Sequence, residues 1–126
     1  MLCKYCSGDI ELQKVNSTRL HYSSYNGKTT DLDILLDAEE EKGNHITPKL
    51  KALQGLPIKA MWATPDIIEA ACYIWGRDAI EDGEVTEEEM LVELHPLNLK
   101  GWLYDPDMDD GDGGNIYIKP DQNKIL

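Results

Sequence analysis

The chain has 126 residues, 41% of them hydrophobic, and its 24 acids against 12 bases leave a formal net charge of −12. That length fits one domain, residues 1–126, and the apolar share supports a packed core, which excludes wholesale disorder. Such a charge repels nucleic acid and anionic membrane, so no direct binding to either is expected; it favours metal ions, basic peptides and the basic surfaces of nucleic-acid-binding proteins.

In chain order, residues 10–36 read as an antiparallel meander. Ile10, Leu12 and Val15 pattern a first strand, Leu20, Tyr22 and Tyr25 a second, and Asn26-Gly27 is a strong hairpin signal because both residues tolerate positive φ. Leu32, Ile34 and Leu36 alternate with Asp31, Asp33 and Leu35, the period of a half-buried third strand. Asp37 to Asn44 is polar and charged and reads as a loop or a frayed turn. Thr47-Pro48 supplies a capping hydroxyl and a proline at the first helical position, Leu50 and Leu53 fill that short helix, and Gly55 closes it.

Leu56 to Trp62 reads as extended and partly buried. Thr64-Pro65-Asp66 is a second helix start, and between Ile67 and Trp75 only Glu69 is charged, so this helix is expected to be the central buried element. Gly76 interrupts it before a continuation to Ile80 that ends near Gly83. Thr86 and Glu89 form a capping box ahead of Met90, Leu91 and Leu94, a short amphipathic helix stopped by Pro96. Trp102 and Tyr104 lie on one strand, Ile116 and Ile118 on another, with Asp105 to Gly114 as the loop between them. The fold class is therefore α+β: an N-terminal antiparallel β-meander, a central buried helix with one or two short helices, and a C-terminal β-hairpin.

The acidic excess is concentrated. From Asp78 to Asp112 there are thirteen acids and one base, Lys100, and that difference of twelve equals the net charge of the whole chain. The first part of the tract holds Asp78, Glu81, Asp82, Glu84, Glu87, Glu88, Glu89 and Glu93 without interleaved lysines. Glu87 to Glu89 suit the positive end of a helix dipole, whereas Glu89 and Glu93 are a like-charge i, i+4 pair costing a few tenths of a kcal/mol. The second part is the loop with Asp105, Asp107, Asp109, Asp110 and Asp112. Alternate carboxylates on extended chain sit roughly 6–7 Å apart, inside a Debye length of about 8 Å. A loop so charged has to move, hold a cation or meet a basic surface. Of the two parts, this loop is the stronger candidate for a partner or an ion.

Two metal readings follow from ligand type. Asp105, Asp107 and Asp109 resemble the first three ligand positions of an EF-hand calcium loop, but Asp110 stands where the loop needs glycine, Asp112 where it needs an apolar residue and Ile116 where it needs glutamate. Cys3 and Cys6 resemble one knuckle of a zinc ribbon; no second pair exists, and His21 is the candidate third ligand. No other cofactor is expected. The third cysteine, Cys72, falls in the apolar helix, where core packing is the ordinary role. An odd cysteine count and no charged-then-apolar leader suggest a reduced, cytoplasmic setting. No apolar run nears the roughly 20 residues that cross a bilayer.

His21, His45 and His95 are far apart and beside no nucleophile or paired carboxylate, so no catalytic residue is identified. Gly111, Gly113 and Gly114 lie among aspartates that would repel a phosphate. The expected function is binding: an acidic protein module that engages the basic surface of a partner such as a nuclease. Twelve charges match about six base pairs of duplex over some 20 Å. Small acidic inhibitors of restriction or CRISPR nucleases, and immunity proteins against nuclease toxins, use this DNA-mimic logic; the likeness is one of charge and size. The acidity also serves plain solubility. The competing expectation is a small enzyme or ligand-binding domain whose pocket is lined by Trp62, Trp75 and Trp102.

Overall fold

A computed structural model of the chain describes residues 11–23, 29–109 and 114–119. Its centre is a strand, β4 (Lys59–Thr64), in which every residue after Lys59 is buried. Six further strands are described: β1 (Gln13–Lys14), β2 (His21–Ser23), β3 (Thr30–Asp31), β5 (Pro96–Leu97), β6 (Leu103–Asp109) and β7 (Asn115–Ile118). The sheet runs β1-β6-β7-β4-β2-β5, every pairing antiparallel, with β3 beside β2 on the same edge of β4. The other edge of β4 is paired along Ala60 to Ala63 with Ile118 to Asn115.

The α+β reading holds, with short strands early in the chain and the antiparallel β6–β7 pair late in it. The early strands, however, do not form a local meander. β1 pairs with β6, β2 with β4 and β5, and β3 with β4. Because β2 and β3 both run antiparallel to β4, they point the same way. The Asn26-Gly27 turn, with Ile10 and Tyr25, lies outside the described residues.

The third expected strand is a helix, α1 (Leu32–Glu41). Leu32, Leu35, Leu36 and Glu39 are its buried residues, at spacing i, i+3, i+4 and i+7. An alternating pattern has to count Leu35 as an outward position and Ile34 as an inward one; Leu35 is fully buried and Ile34 is 54% exposed. Only Thr30 and Asp31 stay in the sheet, and Leu32 N donates to Ile58 O at 2.9 Å to dock the helix start. The first four helical residues after Asp37 also replace the expected loop. Inside that stretch the Glu39 carboxylate is buried, accepting from Asn44 Nδ2 at 2.6 Å and pairing with Lys42 Nζ at 3.3 Å.

Helix α1 packs on the sheet together with α2 (Pro48–Lys51). Leu32, Leu35, Leu36, Leu50, Leu53 and Ile58 meet Ala60, Trp62, Met108, Ile116 and Ile118 in the largest apolar cluster. Burying a leucine is worth about 1.5–3 kcal/mol, so this face carries most of the stability. The helix expected to be central, α3 (Ile67–Trp75), sits at the margin: only Ala70 and Ala71 are buried in it, and Ile68 is 42% exposed. Its start is capped by Asp66, whose carboxylate accepts from Ile68 N and Glu69 N, while Thr64 remains the last residue of β4.

Candidate interaction surface

Two glycines shape the acidic half. Gly76 has φ 90° and ψ 148°, backbone that side chains with a Cβ rarely adopt, and it ends α3 while starting α4 (Arg77–Glu81) at a new angle. Gly83, at φ 73°, closes α4. Thr86 then starts α5 (Glu87–Glu93): Glu89 N donates to Thr86 Oγ1 at 3.1 Å, and that hydroxyl lies 3.1 Å from Glu89 Oε1, to which it donates. The Thr86 cap read from the sequence is present, with the Glu89 carboxylate returning to the Thr86 hydroxyl rather than to its backbone N–H.

The inward faces of α3 and α5 interlock through Ala70, Ala71, Val85, Met90 and Leu94, with Ile67, Ile74, Trp75 and Ile80 against them. Once those positions face inward, helical spacing turns the acids outward. Asp78, Glu81, Asp82, Glu84, Glu87, Glu88, Glu89 and Glu93 are all exposed. Among the described residues none of the eight is held in an ion pair, and Arg77, the neighbouring base, lies 3.6 Å from Glu69 instead. The result is a cluster of eight exposed carboxylates, none of them in an ion pair among the described residues.

One feature of this face was not anticipated. Leu91, expected to point inward, is 47% exposed, and Val92 is 70% exposed. Val92 borders a groove of about 520 Å³ between the end of α3 and α5, with Ile74 and Trp75 along it and Glu88, Glu89, Glu93 and Thr86 around it. The sequence signal was there: Met90, Leu91, Val92 and Leu94 are more apolar positions than one short helix can turn inward.

The second acidic segment is built differently. Asp105 to Asp109 belongs to strand β6, not to a loop. The register slips between Tyr104 and Asp109, where Pro106, which has no N–H for the ladder, sits within the irregularity. Asp105 is 1% exposed. Its Oδ2 accepts from the Thr47 hydroxyl at 2.5 Å and its Oδ1 from Asp107 N at 3.0 Å. Buried and bonded through both oxygens, Asp105 is not available to a partner, contrary to the expectation from the sequence. It is an internal tie between β6 and the start of α2, and it occupies the hydroxyl expected to cap that helix, which has no side-chain cap bond. Asp107 is exposed; the side chain of Asp109, and Asp110 and Asp112 altogether, lie outside the described residues.

Cys3 and Cys6 also lie outside the described residues, while Cys72 is half-buried on α3. His21 is on β2, 5% exposed. Among the described residues no group of three His, Cys, Asp or Glu side chains could hold a metal ion. His21 belongs to a polar setting on the sheet face away from α1. Its Nδ1 is 3.4 Å from the Tyr117 hydroxyl, the two rings meet edge-on at 5.3 Å, and Tyr104 leans on Tyr117 at 5.4 Å. Burial, with Arg19 nearby, lowers the His21 pKa, and burial pushes Tyr117 up to about 12, with a smaller contribution from Tyr104. A cavity of about 440 Å³ opens here, with Gln13, Asn16, Ser17, Asn115 and Tyr104 among its walls.

The three tryptophans do not line one pocket. Trp62 is in the main core, stacked on Tyr73 at 6.0 Å; Trp102 packs on the opposite face of the sheet; Trp75 belongs to the α3–α5 cluster. No helix among the described residues is long and apolar enough to cross a membrane. Comparison of the chain with protein-family models, with curated proteins and with solved structures returns no match.

Proposed function

We propose that this protein is an acidic binding module whose α4–α5 face occupies the basic, nucleic-acid-binding surface of a partner protein, in the manner of a nuclease inhibitor, an anti-restriction or anti-CRISPR protein or an immunity protein. The observation that carries this reading is the set of eight exposed carboxylates on one helical unit, none in an ion pair among the described residues. An ordinary solvated helix interleaves bases with its acids. Here the charges stay uncompensated, which strengthens attraction to a cationic surface and makes it salt-dependent.

The test is charge reversal at exposed positions, with a thermal midpoint measured alongside to show that the fold persists. Glu81→Lys, Glu84→Lys, Glu88→Lys and Glu93→Lys together spare Glu89, whose carboxylate and backbone N–H both engage the Thr86 cap hydroxyl. A partner captured at low salt is expected to bind duplex DNA, to release this protein when DNA is added, and to lose tenfold or more in affinity to the reversed variant, with a shallower salt dependence. Unchanged affinity and salt dependence in that variant would overturn the reading.

A second reading, a small-ligand-binding domain, is favoured by one observation, the polar cavity beside His21 and Tyr117. Native mass spectrometry of gently purified protein would then show added mass that His21→Ala removes. A single unliganded mass from several preparations ends that reading.

A further inference from the structure

We infer that the groove between α3 and α5 receives a bulky apolar side chain from the partner, flanked there by lysines or arginines, so that the acidic face selects a basic segment with an apolar anchor and not merely positive charge. This inference rests on the acidic-face reading above and names the partner chemistry at that face.

Charge alone would be served by a face of carboxylates with a dry, closed seam behind it. The seam is open instead. Ile74 and Trp75 lie along a space of about 520 Å³, within the size range of pockets that hold small ligands or anchoring side chains. Val92 stands at its border with 70% of its surface in water, although Met90 on the same helix and Leu94 at its end are buried. Glu88, Glu89 and Glu93 surround this apolar space, and Glu88 and Glu93 have no ion-pair partner among the described residues.

The geometry narrows the occupant. Glu89 and Glu93 are one helical turn apart, about 6 Å along the axis, as are Glu88 and Val92. Two cations separated by roughly one turn would meet Glu89 and Glu93, leaving an apolar side chain between them to enter beside Val92 and Trp75. A polyanion mimic without such a space accepts any basic surface. Here an apolar anchor contributes binding that salt does not screen, and burying it is the step that separates one basic partner from another.

Two synthetic probes test this: a lysine-rich peptide with leucines at i, i+3 and i+4 spacing, and an oligolysine of equal charge. Affinity is read by fluorescence anisotropy across a salt series for the natural chain, for Val92→Asn and for the combination Glu88→Lys with Glu93→Lys. The leucine-bearing peptide is expected to bind about fivefold tighter or better and with less salt dependence, and Val92→Asn to remove that advantage while leaving oligolysine unchanged. Equal binding of the two probes, or an advantage that Val92→Asn does not touch, overturns the groove inference while the acidic-face reading stands. If the charge-reversed variant binds both probes as well as the natural chain does, the acidic-face reading falls as well. Because Val92 is so exposed, its substitution does not endanger the fold, and a matched thermal midpoint confirms that.

Discussion

The two acidic segments have the same chemistry, but only the second gives a described carboxylate to the interior, Asp105, while Asp107 beside it stays exposed. Asp78 to Glu93 lies on helices whose inward positions are taken by Ile80, Val85, Met90 and Leu94, so its carboxylates emerge into water. Asp105 to Asp109 lies on a strand, where alternate residues face opposite sides, and the inward alternation that buries Met108 goes with a buried Asp105 as the register slips. The backbone beneath them, helical spacing in the first segment and the register slip in the second, decided which acids are available to a partner, not local charge density. The segment with the denser aspartates is the one that gave a carboxylate to the interior.

Substitutions can break or sharpen that contrast. The largest effect is expected at Leu94, fully buried beneath α5: Leu94→Ala should cost about 2–5 kcal/mol in urea unfolding and loosen the anionic face with it. Asp105→Ala removes two hydrogen bonds and strands the Thr47 hydroxyl, for a loss of about 2–3 kcal/mol. The same change at Glu88 should stay within about 0.5 kcal/mol. If Asp105→Ala proves as mild as Glu88→Ala, the two segments are not different in kind. Thr86→Ala, which deletes the α5 cap, should cost about 1 kcal/mol in the same measurement.

Acid sensitivity supplies a control that belongs to neither segment. His21 is a base whose folded pKa is lowered by burial and by Arg19. The unfolded chain therefore binds its proton first, and the stability associated with neutral His21, complete above its unfolded pKa of about 6.5, declines as pH falls below that value. Thermal midpoints measured between pH 7.5 and about 5.5 should fall more steeply for the natural chain than for His21→Gln; parallel curves would contradict this. The smallest effect is expected at Glu93→Gln, which relieves the Glu89–Glu93 repulsion and should raise stability by a few tenths of a kcal/mol while weakening binding to a basic probe.

Much of this organisation was readable from residue order, and the failures have physical causes. Helix α3, the break at Gly76, the Thr86 cap and the extended run into Trp62 were legible because caps, glycines and apolar runs act locally. The Leu32 to Glu41 helix was misread because three leucines and an isoleucine in five residues satisfy both periods, and only the sheet decides between them. Asp105 was misread because its partner, Thr47, is remote in sequence. Glu39, with Lys42 and Asn44, looked like solvated polar chain, since nothing local says that a glutamate has two donors waiting. Of the candidate surface, the acids were visible in composition; the groove was not, because it exists only when α3 and α5 are side by side.

Strand β4 is flanked on one edge by β2 and β3, made before it, and on the other by β7, made about fifty residues after it. During vectorial synthesis its second edge, and the apolar side chains of Trp62 and Ala60 that Ile116 and Ile118 later cover, wait through the translation of the entire acidic tract. Such long-range closure makes folding slow relative to a helical bundle of this size, and leaves an open strand edge exposed to other chains in the interval. By then the nascent protein carries eight like charges between Asp78 and Glu93, and their repulsion between molecules disfavours the pairing of two unfinished sheets.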